Sequence, residues 1–173
     1  MRTLRMSLAG TLTVALLGGL GGAVLGQDEE ADLMAPATVT GSVVYIGGHQ
    51  VGERSSGDGV VRESGMISNH KWEASDPRLS GKDTYTGNWR KFRTAGFQVD
   101  AATSVLENDD GRWVGTVTRL RSPDNQTETV ILHGEDTYEE LTAYVLIDYT
   151  VRPIEFVAAI FPGDMPPFPE PAE

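Results

Sequence analysis

The sequence predicts an all-β protein, an antiparallel barrel of about eight strands, with a β-sandwich as the alternative. Three observations favour this fold class. Short segments that alternate apolar and polar residues recur between residues 38 and 162, turn residues separate them at even intervals, and no segment requires a long helix. A closed barrel also removes the exposed strand edges that an exported sheet would have to protect.

Eight segments carry the strand pattern. β-Branched and aromatic residues are frequent in them, and glycine, proline, asparagine or aspartate stand between them. The predicted strands are 38–46, 60–68, 83–89, 95–106, 112–120, 127–133, 141–149 and 154–162. Asp110-Gly111 predicts a tight hairpin between the fourth and fifth strands. The glycine-rich stretch 47–59 is expected to be a loop.

The first 26 residues predict an export signal. Arg2 and Arg5 precede an apolar run that ends at Leu25, and small residues mark a cleavage site after Gly26. An uncleaved membrane anchor is the alternative, because the run approaches the length of a membrane span. Several glycines weaken the run as a helix, so we favour cleavage, a secreted or otherwise extracytoplasmic location, and no stable membrane insertion afterwards.

The rest of the chain divides into three parts. Residues 27–36 are expected to form an acidic, flexible leader, and residues 37–162 the barrel domain. The end of the chain, 163–173, is rich in proline and acidic residues and is expected to be extended or disordered.

Charge and composition exclude several functions. The formal net charge is −11, and loss of Arg2 and Arg5 with the signal leaves about −13, which repels nucleic acid and anionic lipids. The chain has no cysteine, so thiol catalysis, thiolate metal sites and disulfides are excluded. The three histidines stand far apart, and we predict neither a metal site nor a cofactor.

One candidate ligand site lies in the predicted barrel interior. Alternate residues of a barrel strand face inward, and a ligand pocket needs a few polar groups among apolar ones. Arg119 ends one face of the fifth strand, while Tyr144 and Asp148 share a face of the seventh. If both faces point inward, Arg119 and Asp148 pair inside the barrel. If they point outward, both charges are solvated, and the more apolar opposite face of 141–149 favours this alternative.

Two further candidates stand near the end of the sixth strand. His133 comes directly before Gly134 and is the histidine best placed for a barrel mouth. Tyr138 follows in the turn, where its ring is expected to plug one barrel end while its hydroxyl reaches water. Packing is the favoured role for Tyr138.

The segment HKWEASDPRLSGK, residues 70–82, looks chemical but is interpreted as a structural corner. Asp76 is expected to accept hydrogen bonds from backbone N–H groups, and Pro77 fixes φ before the chain re-enters a strand. Arg78 is then expected at the rim, paired with Asp76 or another acid. Trp72 is expected to be a packed anchor, and His70 has no evident partner.

Three motifs carry a resemblance to known proteins. SDPRLSGK resembles a D-P-R-x-S-G segment of small uncharacterised exported bacterial proteins. GRWVGTVTRL and TVILHGEDTYEELTAYVLID resemble a W-x-G … G-x-G-x-Y-x-G-L-T pattern found at the end of a small barrel family. The G-x-G-x-[FY] element is similar to the late strand pair of allene oxide cyclase and dirigent-type barrels. Asp136 and Glu140 depart from the pattern, which favours glycine at both positions.

Two functional hypotheses follow. The first is a non-catalytic exported barrel that binds a small apolar or amphipathic molecule or an extracellular partner. The second is implied by the resemblance: a cyclase- or isomerase-type enzyme whose pocket shapes a small, reactive hydrophobic substrate. We prefer the first because no G-x-S-x-G or H-E-x-x-H motif is present. An interior filled by large apolar side chains would count against both the small ligand and the enzyme.

Overall fold

The computed structural model describes residues 33–167, so the predicted signal, part of the leader and the last residues of the tail lie outside the described part. Nine strands make up most of this part, joined by short turns and one short 3₁₀ helix, Pro77–Leu79. The strands are β1 (Ala37–Gln50), β2 (Glu53–Gly57), β3 (Val60–Ala74), β4 (Gly81–Phe92), β5 (Phe97–Glu107), β6 (Gly111–Arg121), β7 (Gln126–Asp136), β8 (Leu141–Asp148) and β9 (Ile154–Pro162). Among residues 33–167, no helix is long and apolar enough to cross a membrane.

The strands form one antiparallel sheet that closes on itself. The strand order is β1-β9-β8-β7-β6-β5-β4-β3-β2, and an additional pairing of β1 with β3 closes a ring of eight strands. Each strand from β2 to β8 pairs with the next strand along the chain, as short turns between alternating segments require. The predicted all-β fold class, with about eight antiparallel strands, is therefore confirmed. The ring is barrel-like.

Strand β2 was not predicted. The prediction of one loop over 47–59 is wrong, because β1 continues to Gln50 and β2 pairs with the first part of β3. Both β1 and β2 lie along the same edge of β3 and together form the long arm of a hairpin. Its turn is Asp58-Gly59, where both residues have positive φ, as a two-residue hairpin turn requires.

Large apolar side chains fill the ring. Members of this core come from every strand of the ring, and they are Val39, Val43, Trp72, Leu79, Tyr85, Leu106, Trp113, Val117, Val130, Leu132, Tyr138, Leu141, Ala143, Val145, Ile147, Phe156, Ala158 and Ile160. One end is sealed by Tyr138, whose ring stacks on Trp113 with the ring centroids 5.1 Å apart. The Tyr138 hydroxyl donates to Asn108 Oδ1 at 3.0 Å, and the Trp113 indole donates to the carbonyl of Arg78 at 2.8 Å.

Gly115 is required where β6 meets β7. A Cβ atom at this position would lie 1.8 Å from the carbonyl oxygen of Ile131, which is far inside van der Waals contact. Because the clash is with backbone, no side-chain rotation relieves it. The glycine therefore lets β6 and β7 approach closely beside the large Trp113 ring.

Asp136 and Glu140 occupy the β7–β8 turn in the left-handed backbone region, with φ of 58° and 70°. Residues with a Cβ atom rarely adopt this conformation, whereas glycine adopts it without steric cost. These are the two positions at which the barrel pattern has glycine. The chain thus keeps the turn geometry of a glycine pair with residues that are strained in it.

Candidate functional site

A row of three charged side chains crosses the inside of the ring. In the strand register, Asp100 on β5 lies directly opposite Arg119 on β6, and Arg119 lies directly opposite Glu128 on β7. All three point inward and are buried, with Asp100 1 % and Glu128 4 % exposed. We call these three residues the interior charge row.

Arg119 holds the interior charge row together. Its Nε donates to Asp100 Oδ2 at 2.6 Å, and its Nη1 lies 3.3 Å from Glu128 Oε2. Burial opposes the charge on Arg119, but Glu128, Tyr149 and Asp100 outweigh it and raise the pKa of Arg119. Burial also raises the pKa of Glu128, although Arg119 acts in the opposite direction. The row is therefore a paired but desolvated set of charges.

Two tyrosines flank the guanidinium of Arg119. It lies 4.9 Å from the ring centroid of Tyr149 and 6.0 Å from that of Tyr85, which are cation–π distances. Tyr149 also donates its hydroxyl to Glu128 Oε2 at 3.2 Å. Burial raises the pKa of both tyrosines, so both hydroxyls stay protonated at neutral pH. The Tyr85 hydroxyl is buried without a hydrogen-bond partner among the described residues.

A separate series of hydrogen-bonded side chains lies nearby on β3, β4 and β5. Asp83 accepts hydrogen bonds on both carboxylate oxygens, one from Ser104 Oγ and one shared with His70 Nδ1 at 3.1 Å. His70 therefore has a partner that the sequence did not reveal. A serine nucleophile would need the histidine between the serine and the aspartate, whereas here the aspartate lies between them. These hydrogen bonds can orient the His70 ring, but the three residues are not arranged as a nucleophilic triad.

The space between these groups is small. A cavity of about 10 Å³ is lined by Glu128 of the interior charge row, by the hydrogen-bonded residues His70, Asp83 and Ser104, and by core residues such as Trp72. This volume matches roughly one water molecule, whereas small-molecule pockets measure roughly 300–1,000 Å³. The interior is thus filled by side chains, which counts against a small ligand inside the ring.

Of the three residues predicted for the barrel interior, Arg119 lies inside the ring, whereas Tyr144 and Asp148 lie outside it. Asp148 and Tyr144 lie on the outward face of β8, so Asp148 does not pair with Arg119. Asp148 instead accepts hydrogen bonds from the Thr150 backbone N–H and hydroxyl, at 2.7 and 2.6 Å, which lower the pKa of Asp148. His133 also faces outward, with its Nδ1 4.0 Å from Asp164 Oδ1.

The corner residues lie together at the sealed end. Asp76 caps the 3₁₀ helix by accepting from the Arg78 backbone N–H at 3.0 Å, and it also accepts from Arg78 Nη2 at 2.6 Å. The pKa of Asp76 is lowered chiefly by these side-chain hydrogen bonds. Arg78 is buried, and its Nη1 also donates to the carbonyl of Ala35 at 3.1 Å. Trp72 is buried against Phe156, with ring centroids 5.1 Å apart.

The outward faces of β8 and β9 carry a different arrangement. Leu146 and Val157 lie directly opposite each other, and in the next outward row Asp148 lies directly opposite Glu155. We call these four residues the outer stripe. They line an open surface groove of about 830 Å³.

Sequence reasoning missed Asp100 and Glu128 as partners of Arg119. Antiparallel register is fixed by the turn that joins two strands. Counting back from the Asp110-Gly111 hairpin places Asp100 opposite Arg119, and counting from the turn at 122–125 places Glu128 there. The signal was therefore present in the sequence once both turns were recognised.

Comparison with protein-family models, curated proteins and solved structures gave no match to this chain. Within residues 33–167, no three histidine, aspartate or glutamate side chains are grouped so that they could hold a metal ion.

Proposed function

We propose that this chain is an exported, non-catalytic β-barrel protein that binds an extracellular partner on the outside of its ring. The observation that carries the proposal is the filled interior, whose remaining space of about 10 Å³ holds no more than roughly one water. Binding surfaces must then lie outside. The filled interior argues against the small apolar or amphipathic ligand that the sequence also suggests, so the proposal is limited to a partner on the outer surface.

Export rests on the N-terminal signal pattern, and the choice of partner rests on charge. A net charge of −11 favours proteins with basic surfaces over nucleic acid or anionic membranes. We also retain the relation to allene oxide cyclase and dirigent-type barrels as a proposal. The closed ring of eight strands and the left-handed backbone at Asp136 and Glu140 support it.

Native mass spectrometry of the protein isolated from its own host tests the proposal. We expect a mass increment of protein or peptide size that is lost at high salt. A reproducible mass increment of a few hundred daltons on the protein without any protein partner would contradict it and favour a small-molecule carrier.

A cyclase- or isomerase-type enzyme is the second candidate. The observation that favours it is the His70–Asp83 pair, because an aspartate that holds one ring nitrogen leaves the other nitrogen to transfer a proton. The pair borders the interior cavity beside Glu128. A substrate would have to open that cavity, so this candidate ranks second.

Turnover of an allene oxide probe tests the enzyme. If the chain is this enzyme, the wild-type protein accelerates ring closure and His70→Asn does not, while Asn69→Asp, next to it on the strand, serves as the control. Equal rates for wild type, His70→Asn and buffer would exclude the activity with this probe.

A further inference from the structure

We propose that the outer stripe binds an extended segment of an extracellular protein in which basic and aliphatic side chains alternate along one face. The inference rests on the proposed function, since it names the surface and the chemistry of the partner. Its four residues are Leu146, Asp148, Glu155 and Val157, which form an apolar pair beside a pair of acids.

The apolar pair is exposed to solvent. Leu146 is 43 % exposed and Val157 is 53 % exposed, and they are direct cross-strand neighbours. Directly opposite side chains of an antiparallel pair are roughly 5 Å apart, so the two form one continuous apolar patch. The next outward row toward the sealed end is Tyr144 and Ala159, which extends the patch along the strands.

The acidic pair lies in the next outward row. Asp148 and Glu155 are also direct cross-strand neighbours, and like charges in this position repel each other. Among the ion pairs of residues 33–167, neither carboxylate has a cationic partner. Arg152 lies in the adjoining turn, but its guanidinium donates to the carbonyls of Tyr149 and Val151 at 2.7 Å. A cation from a partner would relieve this repulsion.

The spacing of the stripe determines the shape of the partner. Outward residues of one strand are two positions apart, which corresponds to roughly 7 Å. An extended peptide has the same spacing between its own same-face side chains. A segment with an aliphatic residue over Leu146 and Val157 therefore places the residue two positions away over Asp148 and Glu155, where lysine or arginine fits.

Charge also selects among the possible occupants. A second copy of this chain would bring another pair of carboxylates and a further net charge of −11 to the same surface. Among the described residues, the lining of the groove contains three acids and no lysine or arginine. Glu73 is already paired with Lys71 at 2.7 Å, which leaves Asp148 and Glu155 as the acids without a cation. The complementary occupant is a basic one, and the aliphatic pair favours a polypeptide over a simple cation.

Fluorescence anisotropy with a short labelled peptide that alternates lysine and valine on one face tests the inference. The protein is used as its host cell processes it. Two further peptides replace every lysine by glutamate or every valine by serine. We expect binding of the first peptide only, with an affinity that falls as salt rises.

Matched variants locate the site. Glu155→Gln should weaken binding about threefold to fivefold through loss of one charge pair. Leu146→Thr should weaken it about fivefold through loss of apolar contact. The controls are Glu139→Gln, an exposed acid at the other end of the ring, and Leu120→Thr, whose parent leucine is 44 % exposed on the outside of β6. The controls should bind like wild type, and melting curves should confirm that all four variants fold.

Each other outcome overturns a specific part of the reasoning. Equal weakening by test and control variants, or binding of the glutamate peptide, overturns the stripe as the site. A dimer in sedimentation equilibrium that Leu146→Thr dissociates replaces the peptide by a second copy. If no peptide binds but the host-derived protein carries a protein-sized partner, the partner chemistry is wrong and the proposed function stands. If it carries a small molecule instead, the proposed function fails as well.

Discussion

Replacing Arg119 by methionine tests the energetic role of the interior charge row. Methionine keeps much of the length and volume of arginine but leaves Asp100 and Glu128 buried without a cation. Removing one partner of a buried ion pair costs about 3–5 kcal/mol, because the remaining charge stays desolvated. Loss of the guanidinium also removes the cation–π contacts with Tyr85 and Tyr149, which contribute up to about 2 kcal/mol. We expect the free energy of unfolding to fall by at least about 3 kcal/mol at pH 7.

The pH dependence separates a charge effect from a packing effect. Burial raises the pKa of Glu128 even with Arg119 present, and loss of the guanidinium raises it further. A carboxyl with a raised pKa in the folded state binds more protons folded than unfolded, so its effect on stability becomes unfavourable as pH rises above the unfolded pKa of about 4.3. The deficit of Arg119→Met should therefore be smallest near pH 4 and largest near neutral pH.

Urea denaturation from pH 4 to pH 8, followed by tryptophan fluorescence, measures this deficit. The triple variant Arg119→Met, Asp100→Asn, Glu128→Gln is the control, because it removes the guanidinium together with both charges. It should recover much of the lost stability at neutral pH, and its free energy of unfolding should depend less on pH than that of Arg119→Met, because the buried carboxyl groups that would titrate are gone. A deficit below about 1 kcal/mol at pH 7, or one that does not change with pH, would show that the row is not held by charge.

Two further predictions concern backbone geometry. Asp136→Gly and Glu140→Gly should each raise the free energy of unfolding by about 1 kcal/mol, because glycine removes the left-handed strain. Alanine at the same positions should not do so, and denaturant titration that finds glycine and alanine equal would contradict this account. Gly115→Ala should lower the melting temperature by about 5–10 °C, since its methyl group meets the carbonyl oxygen of Ile131. An unchanged calorimetric melting temperature would show that β6 and β7 separate without cost.

The fold class could be predicted because each strand from β4 to β9 shows its own alternation and ends at a turn residue. β2 could not be found this way. Its sequence, ERSSG, has neither alternation nor β-branched residues, and all five residues are exposed. Pairing with β3 holds it in place, and the only local signal is the Asp58-Gly59 turn. Without a strand pattern before it, that dipeptide predicts only a turn within a loop.

The interior could be predicted only in part. The apolar residues at alternate positions of β8, from Leu141 to Ile147, identify its inward face, because inward positions are buried and buried positions favour apolar side chains. The interior charge row breaks the same rule, since Asp100, Arg119 and Glu128 are inward positions occupied by charges. A pattern of hydrophobicity assigns such positions to solvent. Only register, which depends on two strands at once, shows that each of these charges has its partner inside the ring.

The alternation of inward and outward residues along β8 and the residue after it predicts that stability and the proposed binding can be changed independently. Asp148 and Tyr149 are consecutive, yet one belongs to the outer stripe and the other contacts the interior charge row. A change inside the ring should therefore alter unfolding without altering affinity at the stripe, as long as the ring stays folded. Arg119→Met should lower the free energy of unfolding and leave peptide affinity unchanged, whereas Leu146→Thr should lower peptide affinity and leave the free energy of unfolding nearly unchanged. If the two measurements changed together in both variants, the inner and outer faces of β8 would have to be one coupled site.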